Sequence, residues 1–143
     1  MENVFSKILA GEAPASFVYR DELVAAFMDI QPVNPGHVLV VPICPARDLS
    51  ELDGVTADRL FQVARRIADA LRKSGLKCEG VNIFLADGAA AGQEVFHVHL
   101  HVFPRFAGDG FGLKFADRYF QLPPREELDE AAKRIRAALD GTA

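Results

Sequence analysis

The chain has 143 residues, half of them apolar and a quarter charged, with a formal net charge of −4. This is the composition of one ordinary globular domain, and it excludes collagenous, fibrous and disordered chains. The acidic balance argues against a nucleic-acid or membrane-surface binder, which needs a basic face, so an anionic substrate would have to be met by local positive groups.

No apolar run approaches the roughly 18 residues of a membrane helix, and Met1-Glu2-Asn3-Val4-Phe5 lacks a basic segment followed by an apolar one. A cytoplasmic protein with no membrane partner is expected. Cys44 and Cys78 lie far apart, form no Cys-x-x-Cys pair and read as small packing residues.

In chain order, Val4, Phe5, Ile8 and Leu9 have helical spacing and Gly11 follows as a stop, which predicts a short first helix over Val4 to Ala10. Phe17 to Tyr19 and Leu23 to Met28 flank the polar Arg20-Asp21-Glu22 and predict a hairpin. Residues 31–36, Gln-Pro-Val-Asn-Pro-Gly, are loop punctuation. His37 to Val41 reads as a strand closed by Pro42, and the segment to Gly54 mostly as loop. From Thr56 to Ser74 the apolar residues Leu60, Val63, Ala64, Ile67, Ala70 and Leu71 recur at three and four. They predict the main helix, with Thr56 as N-cap and Gly75 beyond its end. Val81 to Leu85 and Val95 to Phe103 read as strands around the small-residue loop 88–92. Arg125 to Leu139, opened by Pro123-Pro124, reads as a last amphipathic helix. Strands in a run with interspersed helices favour an α+β meander in a single domain over residues 1–143.

The stretch FHVHLHVFPR, residues 96–105, holds three of the four histidines. Side chains alternate along a strand, so His97, His99 and His101 share one face while Phe96, Val98, Leu100 and Val102 share the other. Burying the apolar set inward sets the three imidazoles outward. Three readings compete. The rings could stand on a solvated face by chance. They could bind a metal, with His37 as a further ligand. Or one imidazole could attack phosphorus while its neighbours orient it and stabilise the phosphoryl oxygens, since a pKa near 6.5 lets one ring stay neutral beside a donor.

His97-Val98-His99-Leu100-His101-Val102-Phe103 resembles the His-φ-His-φ-His-φ-φ signature of the histidine triad (HIT) superfamily. Residues 4–8, 26–30, 35–42 and 92–96 resemble further blocks of its bacterial members, in order and spacing. The resemblance covers roughly residues 3–113 and leaves 114–143 as a C-terminal extension carrying a helix. It implies a five-stranded antiparallel sheet with packed helices, a homodimer, and a nucleotidyl hydrolase or transferase. The substrates implied are purine nucleotides, adenosine foremost: nucleoside phosphoramidates, adenylylated amines or dinucleoside polyphosphates. No cofactor is implied.

Carried over by position, His99 is the nucleophile at the α-phosphorus, His101 contacts the phosphate, and His97 and His37 complete the cluster. Gln93 stands beside the leaving group and Glu94 next to it. Asp29 accepts the ribose hydroxyls, and Phe5, Ile8, Phe27, Ile30 and Leu39 wall the base. The sequence also departs from the family. Asn3, Ser6 and Pro45 stand where some relatives hold structural zinc, which implies that this site is absent. Ala86 replaces a frequent Asn, and Glu94 replaces a Ser of one branch. A metal-dependent hydrolase and a non-catalytic nucleotide-binding protein remain as alternatives.

Overall fold

The computed structural model describes residues 2–141. Residues up to Phe111 form one compact unit, and residues from Gly112 onward form a second. The division thus falls two residues before the extension expected from residue 114.

The first unit runs α1 (Val4–Leu9), β1 (Phe17–Arg20), β2 (Val24–Met28), β3 (Val38–Pro42), α2 (Gly54–Lys73), β4 (Gly80–Leu85) and β5 (Leu100–Arg105). The five strands make one sheet in the order β1-β2-β3-β5-β4, with every neighbouring pair antiparallel. The fold is therefore α+β, as expected.

Period-two alternation divides the sheet into two apolar faces. Val24 and Ala26 of β2, Val38 and Val40 of β3, and Leu100 and Val102 of β5 pack against Leu60, Val63, Ala64, Ile67 and Leu71 of α2. Each large aliphatic side chain buried there contributes about 1.5–3 kcal/mol. On the other face Ala25 and Phe27 of β2 and Leu39 and Val41 of β3 pack against Phe5 and Ile8 of α1. The strands β2 and β3 thus read as continuous apolar runs because they are covered on both sides.

Two elements, α2 and β5, depart from the expected bounds by more than one residue. Helix α2 begins at Gly54 with Asp53 as its N-cap, accepting from Thr56 N at 2.9 Å and from Thr56 Oγ1 at 2.8 Å. Thr56 is buried one turn in and answers the cap instead of forming it. The last strand begins at Leu100 rather than Val95 and ends at Arg105, beyond Phe103. Past Val40↔Leu100 the ladder with β3 has no further bonds to make: Pro42 has no N–H to donate, its carbonyl is taken by the His97 side chain, and Val98 N–H goes to Ala46 O.

The second unit holds a short 3-10 turn over Asp117–Phe120 and α3 (Arg125–Leu139). The bounds of α3 are those the apolar spacing predicts, with Pro124 at the N-cap. Phe115 and Tyr119 stack at 3.8 Å between centroids within this unit.

Candidate active site

Register puts the histidines on the α1 side of the sheet. Leu39 pairs with His101 across β3 and β5, so His101 shares the face of Leu39, and His99 and His97 precede it at two-residue intervals. They oppose α2, as the alternation requires, but they are not outward. His97 is fully buried, His99 is 8% exposed and His37 3%. Helix α1 lies over them: the Phe5 ring meets His99 edge-on at 5.0 Å and His97 at 5.9 Å. His101 sits 5.0 Å from His99 and 5.1 Å from His37, centroid to centroid. A chance solvated stripe does not describe this arrangement.

The backbone assigns the protons. Val33 N–H donates to His37 Nδ1 at 3.0 Å, so the neutral His37 ring carries its proton on Nε2. That Nε2–H faces His101 Nδ1 at 2.9 Å and Asp29 Oδ2 at 3.5 Å. With Nδ1 accepting, His101 carries its proton on Nε2. His99 has the opposite tautomer, because its Nδ1 donates to the carbonyl of His97 at 2.8 Å. His97 Nε2 in turn donates to Pro42 O at 2.9 Å. Every fully buried side-chain nitrogen or oxygen among the described residues has a partner, whereas His99 Nε2 and His101 Nε2 have none. Both atoms therefore reach the surface, His99 Nε2 as the lone-pair nitrogen of the neutral ring and His101 Nε2 as an N–H.

Electrostatics keeps the remaining rings neutral. Burial lowers the pKa of His101 to about 4, helped by the neighbouring His99 and His37 and opposed by Asp29. Burial likewise lowers His97, against the Pro42 carbonyl, and His37, against the Asp29 carboxylate. Near pH 7 these three rings therefore bind no second proton.

The loop before β3 is tied down from β5. Asn34 Nδ2 donates to Pro104 O and to Asp109 Oδ2, both at 2.9 Å, and Asn34 O accepts from His37 N at 3.1 Å. Arg105 makes a bidentate pair with Asp109 at 2.6 and 3.0 Å and holds that carboxyl well below the usual range. The backbone of His37 is thus braced through the residue that follows Pro104.

Asp29, His37 and His101 bring ligand-type atoms within 4.8 Å of one another. A neutral metal-bound imidazole carries its proton on the nitrogen away from the ion. His37 cannot, because Nδ1 already accepts Val33 N–H. The donor set does not fit a metal in this proton arrangement. At the positions associated with structural zinc, Asn3 and Ser6 form a capping box on α1 instead.

The other expected site residues are placed unevenly. Asp29 accepts from Gln31 N with Oδ1 at 2.9 Å, leaving Oδ2 beside His37. Phe5, Ile8, Phe27 and Leu39 form the apolar cluster under α1, while Ile30 stands 96% exposed. Gln93 is buried, and its amide is spent on Gly88 N, Arg47 O and Val95 O at 2.8, 2.9 and 3.1 Å, so it braces the 88–95 loop. Glu94 is exposed and Ala86 buried. Sequence reasoning did not single out Phe84, which pairs with His101 across β4 and β5 and meets its ring at 5.7 Å. Its only sequence signal was an aromatic in the apolar run Val81 to Leu85; the register that sets it opposite His101 comes from the structure. An apolar groove of about 320 Å³ between α2, Val18 and Met28 touches none of the histidines.

A five-stranded antiparallel sheet with this histidine cluster on one face defines the class of fold. The HIT domain pattern matches residues 10–108, and the chain belongs to the HIT domain family. An uncharacterised HIT-like protein of Borreliella burgdorferi is 46% identical over 112 residues, spanning 78% of this chain and 81% of that one. The crystal structure of a HIT family protein from Bacillus anthracis superposes with a TM-score of 0.84 at 37% identity, covering 94% of this chain and 95% of the other. The purine nucleoside phosphoramidase of Escherichia coli K12 is 36% identical over 104 residues, 71% of this chain and 85% of that enzyme.

Proposed function

We propose that the protein is a nucleotidyl hydrolase or transferase that acts on the α-phosphate of purine nucleoside phosphoramidates or related adenylylated amines. The observation that carries this reading is the tautomer of His99: its Nδ1 proton is held by the His97 carbonyl, so Nε2 presents an unshared pair at the surface of the site. Likeness to a purine nucleoside phosphoramidase supports the substrate class.

In the first step His99 Nε2 bonds to the α-phosphorus and the bond from phosphorus to the leaving nitrogen breaks, the amine departing with a proton from solvent. The positive charge that develops on His99 strengthens its Nδ1–H bond to the His97 carbonyl, a gain made mainly in the transition state. His101 Nε2–H donates to a phosphoryl oxygen, and His37 Nε2–H holds His101 in the form that can do so. Water then cleaves the phosphorus–nitrogen bond to His99, giving the nucleoside monophosphate and returning the proton to solvent.

Asp29 Oδ2 is assigned to the ribose hydroxyls, the apolar cluster of Phe5, Ile8, Phe27 and Leu39 to the base, and Glu94 to the leaving-group side, where Gln93 acts by bracing the 88–95 loop. The assembly proposed is a homodimer, which would cover the exposed Ile83 and Phe84 on the edge strand β4. The deciding assay incubates purified protein with adenosine phosphoramidate, aminoacyl adenylate and diadenosine polyphosphates. Release of AMP from the amine-bearing compounds supports the reading, and inertness toward all of them removes it.

A further inference from the structure

The cap of α1 and the histidine cluster share one side chain. Asn3 Oδ1 accepts from Phe5 N at 2.8 Å and Ser6 N at 2.9 Å, and Ser6 Oγ closes the box on Asn3 N at 2.8 Å. With the oxygen committed to two backbone donors, the orientation of the amide is settled, and Nδ2 is the end that faces His97 Nδ1 at 3.3 Å. An amide nitrogen only donates, so His97 Nδ1 must accept. His97 Nε2 already gives its proton to Pro42 O. A second proton on this ring would be driven against the Asn3 amide hydrogens in a fully buried position.

The groups around the ring are Asn3 and Phe5 at the start of α1, Pro42 at the end of β3, and His99, which among them is the titratable one. The backbone of this same His97 supplies the carbonyl that takes the His99 Nδ1 proton. A clamp on both nitrogens of the ring is therefore also a clamp on that carbonyl.

We propose that Asn3 is a positioning residue of the site: by capping α1 and donating to His97 Nδ1 it locks His97 as the neutral Nε2–H tautomer and fixes the carbonyl that orients His99. The catalytic consequence rests on the reading of His99 as nucleophile, whereas the tautomer lock does not.

The test uses the full chain and two separate readouts. Long-range proton–nitrogen NMR of the imidazoles should show native His97 as the Nε2–H tautomer at pH 7, and an Nδ1–H or doubly protonated ring there would overturn the proposal with no variant needed. Asn3→Asp keeps a good N-cap but sets a carboxylate oxygen against Nδ1, so His97 should titrate about one pH unit or more higher and the acid limb of the kcat profile should move the same way. Asn3→Ser keeps the cap and removes the donor. It should lower kcat about tenfold with KM changed less than about threefold and thermal stability nearly intact, since the lost interaction orients the transition state. Unchanged His97 signals in a folded Asn3→Asp protein overturn the lock. A loss of activity in Asn3→Ser that merely follows a loss of stability overturns the positioning role. If the native protein turns over none of the nucleotide substrates, the proposed function fails, yet the imidazole spectra still decide the lock.

Discussion

His99 gives its Nδ1 proton to the carbonyl oxygen of His97, two residues earlier, across 2.8 Å. One backbone bond thereby decides which nitrogen of the pair is nucleophilic. Replacing His99 with Ala should lower turnover by several orders of magnitude while nucleotide affinity stays within about tenfold, because the lost interaction belongs to the transition state. Single-turnover kinetics beside equilibrium titration measures both. Mass spectrometry of native protein quenched with denaturant at alkaline pH, where a phosphorus–imidazole bond survives, should find a nucleotidyl adduct on the peptide that spans His97 to Arg105, and turnover by the Ala variant near the native rate would rule the nucleophile out.

Acid should destabilise the protein well above the carboxylate range. The folded-state pKa of His101 lies near 4 against an ordinary imidazole value near 6.5, and His37 and His97 are shifted in the same direction. Between those values the unfolded chain binds more protons than the folded one, so stability is full above about pH 6.5 and falls as pH drops toward 4. For His101 the loss is at most about 3 kcal/mol over that range. Thermal melts from pH 7.5 to 4.5 should show the decline, and His101→Asn should flatten part of it. A pH-independent melting temperature across this window contradicts the assignment.

Asp29 should distinguish ribose from deoxyribose. One of its oxygens is occupied by Gln31 N, so discrimination falls to Oδ2. Removing the 2′-hydroxyl of an adenosine ligand should weaken binding by about 1.5–3 kcal/mol, the range for a hydrogen bond to a charged group. Asp29→Ala should erase most of that difference in calorimetric titration. Equal affinity of the native protein for both sugars would sink the placement.

Exhaustive chelation should leave activity unchanged, and elemental analysis should find no stoichiometric metal. A cation on His99 Nε2 would occupy the pair that must attack, and His37 is barred from ligation by Val33 N–H. One zinc or iron per chain, with activity lost on removal and regained on return, would promote the metallohydrolase alternative.

A side chain at Gly36 should strain the fold. Its φ is +107°, and an added Cβ would lie 3.0 Å from Leu71 Cδ2, 3.1 Å from Leu76 Cδ1 and 3.3 Å from Pro104 Cγ. Gly36→Ala should cost about 1–3 kcal/mol from backbone strain alone. Because His37 is the next residue, the variant should also lose turnover beyond what its unfolded fraction explains. Denaturant titration paired with kcat at low temperature separates the two effects.

The periodic parts of the chain were the legible ones. Alternation across Val98, Leu100 and Val102 put the imidazoles opposite the α2 core, and apolar spacing found α3 to the residue. Boundaries set by a single hydrogen bond were harder. Thr56 looks like a cap by residue type, and only the geometry shows that it answers Asp53. The β5 strand starts late because of Pro42, a residue far away in sequence. Resemblance to the family assembled the cluster of His37, His97, His99 and His101. It could not show that Gln93 spends its amide on the backbone or that Ile30 stands clear of the apolar cluster. The role of Asn3 was hidden because a cap residue advertises only its local partner, and its contact with His97 spans 94 residues of chain.

Along residues 97–102 the odd positions carry the imidazoles and Val98, Leu100 and Val102 carry the α2 core. Sliding this segment by one residue would therefore drive imidazoles into the apolar core and aliphatic groups into the cluster at the same moment. No well-packed but chemically miswired molecule is available to the chain at this strand. Assembly errors here announce themselves as failures to fold, so any screen against loose chains also screens for a correctly wired histidine cluster.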